Sequence, residues 1–109
     1  MTTAKTAINN YFTALINNQD TTLTQTIMTR TRAAVVDPAS QTTVNTYYNT
    51  TSVTKAKAAI DNYFAALALH QDTTLTLSIM TKVRAAVTDP ASQKIVNDYY
   101  NTKAAAAGV

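Results

Sequence analysis

The chain has no cysteine and no glutamate, and its 109 residues include one glycine, two prolines and one histidine. Without cysteine there are no disulfide staples, thiolate zinc ligands or cysteine nucleophiles, although the compartment stays open because a secreted protein can lack disulfides. The single glycine, Gly108, lies near the C-terminal end, so there is neither a nucleophile elbow nor a glycine-rich loop to cradle a phosphate. With His70 as the only histidine and no glutamate, a metal site is short of ligands. No run approaches the roughly 18 apolar residues of a membrane span. The opening Met1-Thr2-Thr3-Ala4-Lys5 lacks the apolar core of a signal peptide. The expectation is a chain that folds in water, with no compartment assigned; extracellular or virion assembly stays open.

Charge is also scarce. Charged residues make up 14% of the chain, well below the roughly 25% of an average globular domain. Polarity comes from Thr, Asn, Gln and Ser instead, a surface that is hydrated but repels copies of itself only weakly.

What is present is a repeat. Shifting the sequence by 52 positions lays residues 4–50 on 56–102 with 33 of 47 positions identical and no gap. The shared blocks include Asn10-Tyr11-Phe12 with Asn62-Tyr63-Phe64, and Asp37-Pro38-Ala39-Ser40-Gln41 with Asp89-Pro90-Ala91-Ser92-Gln93. Each copy alone is too short for a robust core, whereas the two together suit one domain.

Helix signals are local. Ala4, Ile8, Tyr11 and Leu15, with Phe12 beside them, recur at three- and four-residue spacing and predict a helix over about residues 3–17. The positions where the copies differ in this helix, Thr6, Asn9, Thr13, Ile16 and Asn17, lie opposite that stripe or at its margin. The polar run Asn17-Asn18-Gln19 ends it, and Asp20 is placed to cap a second helix whose stripe is Leu23, Ile27, Ala34 and Val35. Asp37 before Pro38 is the clearest start, because proline at the first helical position loses only an N–H that has no partner there. The third helix buries Val44, Tyr47 and Tyr48, and Asn49-Thr50-Thr51-Ser52 is the expected joint. The predicted fold is all-α: a six-helix bundle of two tandem three-helix repeats, residues 1–52 and 53–109, related by a pseudo-twofold axis within one compact domain.

No catalytic constellation emerges. All six carboxylates are Asp; Asp20, Asp37, Asp72 and Asp89 are explained as caps, and Asp61 and Asp98 face outward. His70, opposite Asn18, belongs to a polar turn. No catalytic, cofactor or metal residues are assigned, and the chain is not read as an enzyme.

Threonine supplies about a fifth of the residues, although it is a modest helix former. Its positions scatter around the second helix rather than lining a face, which speaks against a regular hydroxyl surface and for a compositional bias.

The basic residues offer a polyanion surface. Arg32 and Arg84 occupy matching places and point outward; with Lys94, Lys5 and Lys57 they would grip phosphates. Arg30 and Lys82 instead flank the core stripe. The net charge is only +3 and these cations are scattered, so the same residues also fit a role in complementing helix C-termini.

The second copy is more apolar at chosen places: Leu69 replaces Asn17, Leu77 replaces Gln25, Val83 replaces Thr31 and Ile95 replaces Thr43. Leu69 and Leu77 fall off the core stripes, and one ring each of Tyr47-Tyr48 and Tyr99-Tyr100 can reach the surface, so Leu69, Leu77, Tyr48 and Tyr100 are the candidate assembly contacts. The expected function is a non-enzymatic, self-assembling structural protein, a filament, coat or surface-layer subunit whose partner is itself. A nucleic-acid or polyanion coat protein is the alternative, and a small-ligand carrier binding between helices is the second.

Overall fold

The protein is described by a computed structural model over residues 1–108, which contains five α-helices and, among those residues, no strand. They are α1 (Thr2–Ile16), α2 (Thr22–Ala33), α3 (Pro38–Ala68), α4 (Thr74–Ala85) and α5 (Pro90–Ala106). The chain is all-helical as expected, but the helices number five rather than six. The third helix of the first copy and the first helix of the second, expected to part at Asn49-Thr50-Thr51-Ser52, form one uninterrupted helix of 31 residues.

The physical reason lies in that polar run. It holds no proline or glycine, and hydroxyls in it and just beyond it fold back onto the helix: Ser52 Oγ donates to the Asn49 carbonyl at 2.9 Å, and Thr54 Oγ1, two residues past the run, to the Thr50 carbonyl at 3.0 Å. Polar side chains that satisfy themselves on their own helix do not end it. Inward residues also continue without a break, as Val44, Tyr48, Ser52, Ala56, Ile60 and Phe64 are all buried at intervals of four. Each such step overshoots a full turn by about 40°, so the buried face rotates by roughly 200° from Val44 to Phe64. One half of α3 thus buries one side and the other half nearly the opposite side. At 1.5 Å per residue the helix is about 47 Å long, and it spans the longest dimension of a 47 × 27 × 16 Å molecule.

Around this spine α1 packs on α2 and α3, while α4 and α5 pack on α3. Beyond α3 itself, the two copies meet where α1 touches α4. A single apolar cluster draws on all five helices, with Ile8 and Phe12 of α1, Met28 of α2, Ile60 of α3, Val83 of α4 and Val96 of α5 among its members.

The stripe read for α1 is buried throughout, whereas the stripe read for α2 is not. Leu23 is 70% and Ile27 44% exposed, Ala34 is exposed, Val35 is half-buried, and Met28 is the buried residue of that helix. Helix α2 packs on α1 with its other flank uncovered, so apolar periodicity there does not report burial.

The Asp-Pro starts behave as read: Asp37 and Asp89 accept from the backbone N–H groups of Ser40 and Ser92 at 3.0 Å, with proline at the next position. Asp20 and Asp72 differ by one place. Thr21 and Thr73 hold the N-cap positions without a side-chain cap bond, and each Asp accepts instead from the N–H two residues on, Thr22 and Thr74, in an Asx turn that leads into the helix. The Thr22 backbone N–H and then its hydroxyl lower the pKa of Asp20, and the Thr74 hydroxyl and then its backbone N–H lower that of Asp72.

Helix α1 ends with Asn18 at φ 55° and α3 with His70 at φ 56°. In both places the 6→1 bond of a Schellman turn closes the end, Gln19 N–H to the Ala14 carbonyl and Gln71 N–H to the Ala66 carbonyl. Asparagine tolerates the left-handed region, but histidine meets its Cβ penalty there.

Replacing His70 by Gly is expected to raise the unfolding free energy by about 1 kcal/mol in urea denaturation, with a smaller gain for Asn18→Gly. Asp37→Ala and Asp89→Ala are each expected to lower it by about 1 kcal/mol. No change in either cap variant would mean that the Asp-Pro junctions do not hold these helices.

Candidate functional site

Four of the cations singled out as functional, Lys5, Arg32, Lys57 and Arg84, sit over the rings of the two tyrosine pairs. Neighbouring positions on a helix point about 100° apart, so the two rings of each pair face different elements. In the first copy Tyr47 turns to α1, its hydroxyl donating to Asn9 Oδ1 at 2.7 Å, while Tyr48 turns inward against Phe12, ring centroids 5.3 Å apart. The second copy repeats this: Tyr99 donates to Asp61 Oδ1 at 2.6 Å and Tyr100 lies 5.4 Å from Phe64.

Each ring carries a cation. The Arg32 and Arg84 guanidinium groups sit 4.4 Å from the centroids of Tyr48 and Tyr100, and donate at 2.9 Å to Asn45 and Asn97. Lys5 and Lys57 lie over Tyr47 and Tyr99 at 5.3 and 5.2 Å. Lys94 pairs with Asp98 at 2.8 Å, an exposed i,i+4 bridge of the kind that adds little stability. The five proposed polyanion residues therefore stand on five different helices, each bound to its own partner. Arg32 and Arg84, expected to point outward, are half-buried against the tyrosines; Arg30 and Lys82, expected to cover the core, are exposed.

The carboxylates are likewise engaged. Asp61, expected on an outward face, takes the Tyr99 hydroxyl and stands 3.4 Å from Lys103 Nζ. The hydrogen bond to Asp61, then burial and the Asp61 charge, raise the Tyr99 pKa, while Lys103 opposes them. Among the described residues no three His or Asp side chains are grouped to hold a metal ion. The grooves beside Arg32 and Arg84 are open and measure about 280 and 290 Å³.

Of the assembly candidates, Leu69 is 67% and Leu77 43% exposed, and Tyr100 is half-buried. Tyr48 is different. It is 5% exposed, and its hydroxyl donates at 2.6 Å to the Ala86 carbonyl at the C-terminal end of α4. It is an internal contact between the two copies, which removes it from the outer surface.

Around this hydrogen bond runs a seam that the sequence reading missed. Lys82 Nζ of α4 donates to Asn18 Oδ1, beyond the end of α1, at 3.1 Å, and Val83 of α4 is fully buried. Among the four apolar replacements in the second copy, Val83 is the one consumed inside the chain; Leu69, Leu77 and Ile95 stay exposed. Only the change from Thr31 to Val83 signalled the seam in the sequence. The last carbonyls of a helix lack intrahelical partners, and Tyr48 supplies one to α4.

Burial pushes the Tyr48 pKa up to about 12; the neighbouring Tyr11 adds to the rise and Arg32 opposes it. A phenol whose pKa is higher folded than unfolded favours the folded state fully below pH ~10, and that contribution is lost as pH rises from there to about 12. Tyr48→Phe is expected to lose about 1–3 kcal/mol near neutral pH, the cost of an unpartnered buried carbonyl, and to show a shallower decline between pH 10 and 12. Tyr100→Phe is expected to change monomer stability by less than about 0.5 kcal/mol, since its hydroxyl makes no hydrogen bond among the described residues. Urea denaturation against pH checks both.

No family model matches the chain, and comparisons with curated proteins and with solved structures return no match.

Proposed function

We propose that the chain is a non-enzymatic structural protein that assembles with copies of itself, as the subunit of a filament, coat or surface layer. The observation that carries this is the surface: Leu23, Ile27, Val36, Leu69, Leu75, Leu77 and Ile95 are all exposed on a molecule with few charges to keep copies apart. Single exposed leucines are ordinary, but eight exposed large apolar side chains, Met1 with these seven, on a chain of 109 residues supply apolar area that contact with protein would cover. Two tandem units joined through one continuous helix also suit an element that extends by repetition.

The polyanion alternative draws less support. Its cations are held by tyrosines, asparagines and Asp98, and releasing them would sacrifice those contacts. A ligand carrier is supported less still, because the grooves beside Arg32, Arg84 and Arg30, about 280, 290 and 400 Å³, are all open to solvent rather than enclosed.

Mass photometry and sedimentation over a concentration series test the proposal. Wild type is expected to form oligomers as concentration rises. The variant carrying Leu69→Asn and Leu77→Gln, the first copy's residues, is expected to form fewer. Wild type that stays monomeric at high concentration would overturn the reading.

A further inference from the structure

The seam between the copies is made from one surface of the first copy and a different surface of the second. Two hydrogen bonds mark it where α1 and α3 meet α4, the Tyr48 hydroxyl to the Ala86 carbonyl and Lys82 to Asn18. Tyr11, Leu15 and Tyr48 of the first copy, and Val83, Ala86 and Val87 of the second, are all buried while the duplicate of each is more open, and this difference assigns them to its two sides. Because the copies are duplicates, each surface exists twice, and the second instance of each is left open.

The counterparts of the first surface are Tyr63, Leu67 and Tyr100, all only half-buried, with His70 at the edge. The counterparts of the second are Thr31 and Val35, half-buried, and Ala34, exposed, with Arg30 at the edge. The polar partners are open in step. Tyr100, which corresponds to Tyr48, makes no hydrogen bond through its hydroxyl among the described residues, and the Ala34 carbonyl, which corresponds to that of Ala86, receives none.

From this we infer that molecules associate head to tail by repeating the internal seam: the Tyr63, Leu67 and Tyr100 face of one copy docks on the C-terminal turn of α2 in the next. In that contact the Tyr100 hydroxyl donates to the neighbour's Ala34 carbonyl, and the neighbour's Arg30 approaches His70, as Lys82 approaches Asn18 within the chain. The occupant is a second copy because the surface that fits each open face is already seen, inside the same molecule, on that face's duplicate. The two faces differ, so the contact is heterologous and leaves one of each free at the ends of any short oligomer.

This inference rests on the self-assembly reading and specifies its interface. The absence of native cysteine makes cross-linking clean. Arg30→Cys and His70→Cys proteins are prepared separately and treated with a short bismaleimide, each alone and as a mixture. Covalent dimers are expected in the mixture and not from either alone. Thr31→Val, which restores the residue that Val83 provides in the seam, is expected to tighten association about tenfold, and Tyr100→Phe to weaken it about fivefold with monomer stability unchanged. Leu69 borders His70 and Leu77 lies off the surface, so Leu69→Asn alone is expected to weaken association and Leu77→Gln alone to leave it intact. Wild type that oligomerises without a mixed cross-link, or a dimer from Arg30→Cys alone, overturns this interface and leaves the assembly reading standing. Wild type that is monomeric throughout overturns both.

Discussion

The constraint on which the rest of the structure depends is the continuity of α3. A helix is stiff, so 31 unbroken residues hold the two copies in a set relation rather than letting them close on each other about a flexible joint. The rotation of the buried stripe along α3 then decides which side each copy occupies. A flexible joint would let each copy cover the other's exposed apolar side chains. A rigid one allows a single seam and leaves the duplicate of each seam surface facing solvent.

Within that frame the side chains differ between the copies in keeping with what the spine covers. Position 31 is threonine where the site is half-open, and its duplicate is Val83, fully buried where α4 meets the first copy. Burying a valine is favourable and burying an unpaired hydroxyl is not, so the substitution follows solvent access. The same logic separates Tyr48, whose buried hydroxyl requires and has an acceptor, from Tyr100, which meets water. Threonine, abundant in helices that it does not favour, is accommodated by back-bonding: Thr26, Thr42, Thr43, Thr54, Thr81 and Thr102 all donate to the carbonyl four residues earlier.

Features governed by neighbouring residues were legible in the sequence. Duplication, helical class, the Asp-Pro starts, the α1 stripe and the break after Ile16 all rest on interactions within a few residues of one another. Features governed by tertiary placement were not. The polar run at 49–52 resembles a linker until Ser52 is seen bonding to the Asn49 carbonyl of its own helix and burying its side chain. Leu23 and Ile27 have helical periodicity, but periodicity shows only that side chains share a face, not that anything covers it. The angle of Arg32 on α2 points it outward, yet the Tyr48 ring beside it holds it half-buried at 4.4 Å. Tyr48 looked like a surface candidate because the element that buries it, α4, lies 38 residues away along the chain.

The central claim is that one seam is used within the chain and again between chains, and amide hydrogen exchange measured at low and high protein concentration tests it most directly. Protection is predicted to rise with concentration at residues 30–35, around 63–70 and around Tyr100, while the amides of the internal seam near Val83 and Ala86 stay protected at both. Exchange that is independent of concentration, or added protection confined to the outer flank of α4 around Leu77, would contradict the account.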